Sequence, residues 1–236
     1  MTSSLSRVVS LVPSITEALA SVRPDALVGA TDWCTHPADL EVARVRGTKN
    51  PDLAAIRALE PDLVIVNKEE NRELDVRRLR AAGVRVEVTV IETVPDAVAT
   101  YHHLFEEVLG WERPPWLAEA EQLWCGDLPP VTRTVVMPIW RDPWMVVGSS
   151  TFTGDLARRL GLANAYADHP DRYPALDLAE IDAAGADVSL LPDEPYVFTS
   201  DDGPEAFTRT PTELVSGRLL TWYGPSLVDA HRSLER

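Results

Sequence analysis

The sequence predicts an α/β protein of two lobes, each built on a mainly parallel sheet and joined by a single linking helix. Three observations carry that expectation. Short apolar runs alternate with helical segments through most of the 236 residues, the pattern of βα units around a parallel sheet. The alternation breaks once, over 110–131, where two proline pairs bracket one helical segment. The second half also echoes the first. "LAAIRALEPDLVIV" (53–66) and "LAEIDAAGADVSLL" (178–191) align without gaps, and "SITEALA" (14–20) and "TFTGDLA" (151–157) share Thr, Leu and Ala in order. Similar units in the same order on both sides of a proline-bounded helix place the lobes at 1–110 and 131–236, with the linking helix in 111–130.

The elements follow in order. "RVVSLV" (7–12) reads as a first core strand and "SITEALASV" as a helix, with Ser14 and Glu17 at capping-box spacing. "ALVGA" is the second strand and ends in the loop "TDWCTHP". Asp52 is placed to cap the helix "LAAIRAL", which leads into the strand "DLVIV". A helix over 71–82 stops at Gly83, a residue that accepts positive φ. "VRVEVTVI" is a strand, and Pro95 opens a helix ending near Gly110. In the linker, Trp116, Leu117, Ala120, Leu123 and Trp124 fall at helical spacing over 115–124, and Trp116 and Trp124 read as packing residues. Beyond it come a strand at 134–139, helices at 151–160 and 177–184, strands at 187–191 and 218–222, and a last helix from Pro225.

Composition narrows the function. Hydrophobic residues make up 45% and charged residues 25%, an ordinary globular balance. A net charge of −15, from 22 basic and 37 acidic residues, excludes the basic footprint of a nucleic-acid binder. Cys34 and Cys125 are too few for a disulfide framework. No apolar run reaches the roughly 20 residues that a membrane helix needs, so no membrane insertion is expected. The N-terminus reads as a core strand rather than a leader, which places the chain in the cytoplasm as written, or outside it if a native leader precedes this sequence.

Ligands of open parallel sheets bind at the carboxyl ends of the strands. Read there, the first half offers Ser14, Trp33, Lys49 and Lys68, and the second offers Trp140, Arg141, Trp144 and Trp222. The two lysines are the only ones in the chain. A mouth rich in aromatics suits a large, flat, partly apolar ligand whose orientation a few polar groups fix. Cys34 and His36 set a thiol and an imidazole two residues apart, but no second ligand pair follows, so no metal site is assigned. His102 and His103 point about 100° apart on one helix. The chain has no Walker loop, no G-x-S-x-G elbow and no H-E-x-x-H, so no catalytic residue is assigned.

The succession "RVVSLVPSITEAL", "LVGATDWCTHP", "GTKNPDLAAIRALEPDLVIVNKEENRELDV" and "LRAAGVRVEV" resembles the helical-backbone (class III) periplasmic binding proteins, with their cobalamin-binding branch nearest. "DPWMVVGSSTFTGDLARRLGLANAY", "RYPALDLAEIDAAGADVSLL" and "GRLLTWYGP" continue the match. The resemblance implies two Rossmann-like lobes holding a ligand between them, with aromatic side chains from both lobes on a corrin. By position Trp33 corresponds to one such aromatic and Tyr173 to the other. It also implies one acid per lobe that docks a membrane permease. Glu73 stands at the first such position, while Ala179 occupies the second, with Glu180 and Asp177 beside it. The 115–124 helix, about 15 Å long at 1.5 Å per residue, is shorter than the rod such proteins usually have.

The expectation is therefore a monomeric, non-enzymatic binder of a metal chelate, a cobalamin-like corrinoid first, that needs no cofactor of its own. Haem or a ferric siderophore are the alternatives within that class. A chelatase-like or corrinoid-modifying enzyme and a ligand-gated regulatory protein are the alternatives outside it.

Overall fold

The computed structural model describes residues 5–234. The chain divides into two compact units. The first runs through Ile91 and takes in Asp96–Glu121 and Tyr223–Pro225. Its elements are β1 (Val8–Ser10), α1 (Pro13–Ala20), β2 (Leu27–Ala30), β3 (Ala43–Arg44), β4 (Arg46–Gly47), β5 (Asn50–Pro51), α2 (Leu53–Ala58), β6 (Leu63–Asn67), α3 (Glu73–Ala81) and β7 (Val86–Thr89). Helix α4 (Val94–His102) follows and runs on as a π-helical segment, His103–Leu109.

Its sheet has the order β3-β2-β1-β6-β7, with every neighbouring pair parallel. Every residue of the central strands β1 and β6 is buried, as expected of a parallel sheet covered on both faces. On one face Val9, Leu11, Val64 and Val66 pack with Ile56 of α2 and with Val76 and Leu79 of α3. The β4–β5 pair is a separate antiparallel hairpin. Asp52 caps α2 as expected, its side chain accepting from the Ala54 and Ala55 amides, and Gly83 takes φ +82° after α3.

The capping box expected at Ser14 is not formed. Val12 is the N-cap, it makes no side-chain bond, and Pro13 is the first helical residue. Proline lacks the N–H that the first turn would leave unpaired, so the helix begins one residue earlier. Thr16 Oγ1 then donates back to the Val12 carbonyl at 2.9 Å.

The second unit comprises Glu92–Pro95, Gln122–Trp222 and the chain from Ser226. The division falls within α5 (Pro115–Trp124), the single helix found where a linker was expected. Its further elements are β8 (Arg133–Val136), β9 (Pro138–Trp140), β10 (Met145–Val146), α6 (Phe152–Arg159), β11 (Leu162–Asn164), α7 (Leu178–Ile181), β12 (Val188–Pro192), β13 (Thr212–Val215), α8 (Gly217–Thr221) and α9 (Ser226–Leu234). The sheet order is β11-β8-β12-β13, again all parallel.

The internal echo is structural. β6 (Leu63–Asn67) and β12 (Val188–Pro192) occupy positions that the ungapped alignment superposes. The orders β2-β1-β6-β7 and β11-β8-β12-β13 have the same topology. α1 leads to β2 as α6 leads to β11.

Three expectations change. The predicted strand at 134–139 breaks at Met137: β8 stays in the sheet, while β9 leaves it and pairs antiparallel with β10. The predicted helix at 177–184 shortens to α7, and Gly185 turns the chain with φ +75°. The predicted strand at 218–222 is helix α8. Ser216 caps it with its hydroxyl at the Leu219 amide, and Thr221 Oγ1 donates to the Gly217 carbonyl at 2.8 Å. A local cap and back-bond outweigh the strand pattern of so short an apolar run. Among the described residues no helix is long and apolar enough to cross a membrane.

Candidate functional site

In the first unit, the loop after β6 is tied by two asparagines. Asn67 Oδ1 accepts from the Glu69 amide at 2.8 Å and the Glu70 amide at 3.4 Å, forming an Asx turn. The Asn67 amide donates to Asn71 Oδ1 at 2.9 Å. Asn71 Nδ2 reaches the Leu11 and Thr48 carbonyls, so the loop is anchored both beyond β1 and in the β4–β5 hairpin. Lys49 lies against this turn, its Nζ donating to the Glu69 carbonyl at 2.5 Å. Burial raises the pKa of Glu70; Lys49 opposes that shift and Glu69 adds to it. Lys49 is thus occupied in holding an acidic turn, whereas Lys68 is exposed.

Trp33 follows β2 and is 66% exposed. Its indole Nε1 lies 3.3 Å from where a Cβ on Gly47 would stand, so glycine there leaves room for the ring edge. Cys34, one residue on, is fully buried. Thr16 and Thr31 hydroxyls lie 3.0 and 3.1 Å from its sulfur. Burial raises its pKa despite those hydroxyls, so the thiol stays neutral in the core. His36 Nδ1 pairs with Thr35 Oγ1 at 3.1 Å. Among the described residues no three His, Cys, Asp or Glu side chains gather to hold a metal ion. Cys34 thus lies in the core, while His36 is half-buried. Ser14 is withdrawn from solvent: it is 4% exposed, and its carbonyl accepts from Tyr101 Oη.

In the second unit, β9 and the loop after β12 bring Trp140, Arg141 and Tyr196 together beyond the carboxyl ends of the adjacent strands β8 and β12. Trp140 is 43% exposed and stands edge-on to Tyr196, with centroids 5.7 Å apart. Arg141 Nη1 donates to Asp202 Oδ1 and, at 2.5 Å, to Glu205 Oε1; its Nε lies 3.9 Å from Asp142. The hydrogen bond from Arg141, before any other contribution, holds the Glu205 carboxyl below its usual range. Tyr196 Oη donates to Asp202 Oδ2 at 2.6 Å, and that bond raises the phenol's pKa. Arg141, expected to reach a ligand's amides or carboxylates, is held by this protein's own acids.

Trp144 was expected on an aromatic wall. It is 8% exposed and stacks on Phe198 at 5.8 Å in the core of the second unit. Trp222 is also 8% exposed, at the end of helix α8 rather than at a strand end, with the Arg218 guanidinium 5.8 Å from its ring. Tyr173 sits on a strap, 172–176, that pairs along β10. The Leu176 amide donates to the Trp144 carbonyl, that of Val146 to Pro174, and that of Gly148 to Arg172. Glu73 is the first residue of α3, with its side chain 84% exposed, and Glu180 lies exposed on α7.

Sequence reasoning reached Tyr196 only as part of the strand-end stretch 192–198, and it passed over Asp202 and Glu205, whose only signal was the acidic run after a predicted strand. It also passed over an open groove of about 390 Å³ in the first unit, lined by Glu87, Thr89, Val90, Asp96, Thr100 and His103 among others.

No protein-family model matches the sequence, and no curated protein matches it. Solved structures match the fold over nearly the whole chain. The periplasmic vitamin B12 binding protein BtuF of Vibrio cholerae is 17% identical, with 98% of this chain and 95% of that chain covered and a TM-score of 0.77. A periplasmic heme-binding protein of Pseudomonas aeruginosa is 20% identical, with 98% and 91% covered and a TM-score of 0.76. A possible iron-binding, periplasmic solute-binding protein of Staphylococcus epidermidis is 18% identical, with 98% and 97% covered and a TM-score of 0.77. The chain has the fold of the class III periplasmic binding proteins.

Proposed function

We propose that this chain, with the fold of proteins that bind vitamin B12 and heme, binds a metal chelate without covalent chemistry, and that a cobalamin-like corrinoid is its ligand. One observation carries the reading. Each unit presents an exposed indole beyond the carboxyl ends of its own parallel sheet, Trp33 on the loop after β2 and Trp140 at the end of β9. Exposed aromatics on rigid supports suit the face of a flat macrocycle, and a preformed surface avoids the cost of ordering loops on binding. Tyr173, on the strap hydrogen-bonded to β10, supplies a further ring. Lys68 supplies a donor for amides at the ligand's edge. Glu73 and Glu180, both exposed, supply one acid per unit for the basic residues of a permease.

Titration with cobalamin and cobinamide, followed by tryptophan quenching and the visible band of the corrin, tests this. Saturable one-to-one binding at micromolar concentration or below is expected. Trp33→Ala with Tyr173→Ala should weaken it by about tenfold or more, since each aromatic contact contributes about 0.5–1.5 kcal/mol beyond area burial. Unchanged affinity in the folded double variant would remove the site assignment, and no binding of either corrinoid would remove the corrinoid.

A further inference from the structure

The second unit's rim carries a charge pattern that bears on which chelates it accepts; the argument rests on the chelate-binding reading above. Over 141–142 and 193–205 the chain has one basic residue, Arg141, and six acids: Asp142, Asp193, Glu194, Asp201, Asp202 and Glu205. The single cation already faces three of these acids. Its Nη1 is shared by Asp202 and Glu205, its Nε faces Asp142, and its Cζ lies 5.5 Å from the Trp144 ring centre. The acids on it are themselves held: Asp202 by the Tyr196 phenol, and Glu205 by the Gly203 amide at 2.5 Å. The ring pair of exposed Trp140 and half-buried Tyr196 is built into this cluster.

A ligand carboxylate or catecholate arriving at that ring pair would meet a guanidinium already facing Asp142, Asp202 and Glu205, and would either exchange with one of them or join them around one positive charge. Either way it would lie beside those acids, and like charges so placed disfavour binding. An amide or a cationic edge meets no such conflict and finds acceptor oxygens in place. The geometry points to a rim that selects the ligand by charge: the Arg141–Asp142–Asp202–Glu205 cluster admits neutral or cationic, amide-edged metal macrocycles and rejects those edged with carboxylates. Asp202 and Glu205 are then specificity determinants, and Arg141 is their positioning residue.

The test compares two corrinoids with the same ring and opposite edges, dicyanocobinamide, with amides, and dicyanocobyrinic acid, with carboxylates. Haemin, which carries two propionates, is the third probe. The wild-type chain should bind cobinamide at least tenfold more tightly than cobyrinic acid at low salt. The gap should narrow at 0.5 M salt, where charges are screened within a few ångströms. Asp202→Asn with Glu205→Gln should reduce the cobinamide preference by about tenfold, because it leaves Arg141 free for an anionic edge. Asp142→Asn, at a side chain that is 90% exposed, should move the preference the same way by less and guards against a double variant that fails to fold. Cobyrinic acid bound within threefold of cobinamide would overturn the inference and leave the chelate reading standing. So would haemin bound most tightly, or an unchanged preference in both folded variants. Binding of none of the three would overturn both.

Discussion

Asp182 offers the most direct test of how the second unit holds its loops. It is 6% exposed at the end of α7 and gathers the segment before β13. Its Oδ2 accepts from the Thr208 amide and hydroxyl, both at 2.9 Å, and its Oδ1 accepts from the Thr210 amide at 2.8 Å. The Arg209 amide is shared between both oxygens at 3.1 Å. Burial alone would raise its pKa, but the Thr210, Thr208 and Arg209 donors outweigh that and hold the carboxyl well below the usual range. Hydrogen bonds to a charged group contribute about 1.5–3 kcal/mol each, and water re-pairs part of what is lost. Asp182→Ala should therefore cost about 3 kcal/mol at pH 7. Asp182→Asn should cost about 2 kcal/mol, because its Nδ2 would face donors.

The sign of the pH dependence follows from the depressed pKa. The stabilisation is fully present above the unfolded-state pKa of about 3.9 and is lost as pH falls toward the folded value. Urea unfolding followed by tryptophan fluorescence, read on the transition that the substitution moves, should give the full gap between wild type and Asp182→Asn at pH 7. At pH 3 the gap should be smaller by on the order of 1 kcal/mol. A gap under about 0.5 kcal/mol at pH 7, within the range of an ordinary surface change, would refute the reasoning. So would a gap that does not narrow at pH 3.

Three other outcomes are expected. A thiol reagent should modify Cys125, which is exposed, within minutes in the native protein; Cys34, buried and with its pKa raised by burial, should react only after denaturant is added. Gly148→Ala should lower stability by about 2–3 kcal/mol in thermal or urea unfolding, the cost of overpacking. Its Cβ would lie 2.2 Å from the carbonyl oxygen of Asp171, the residue before the strap that carries Tyr173, and 3.0 Å from that of Arg172 within it. Asn71→Ala should cost about 2–3 kcal/mol in the same assay, since it removes one acceptor and two donor contacts that tie the β6 loop to Leu11 and Thr48.

Much of the architecture was legible because its causes are local. An apolar run flanked by an amphipathic helix forms a βα unit wherever it occurs, so the echo of 53–66 in 178–191 was enough to foresee β6 and β12 in equivalent places. The Asp52 cap and the turn at Gly83 need nothing beyond neighbouring residues. Where a local signal had a local rival it misled: Pro13 displaced the cap expected at Ser14, and Ser216 turned a predicted strand into α8.

The candidate site divides differently. Sequence placed Trp33, Trp140 and Trp144 beside strand ends, but only packing decided that Trp33 and Trp140 face solvent while Trp144 stacks on Phe198. Sequence offered Arg141 as a free cation, and the fold brought it Asp202 and Glu205 from about sixty residues away. It set the Cys34 thiol two residues from His36, and the fold closed Thr16 and Thr31 over the sulfur. The sequence by itself determined the order and kind of most elements, because hydrophobic period and turn chemistry act over a few residues. The tertiary structure alone decided which polar and aromatic groups remain available to a ligand, because exposure and charge pairing depend on partners distant in the chain.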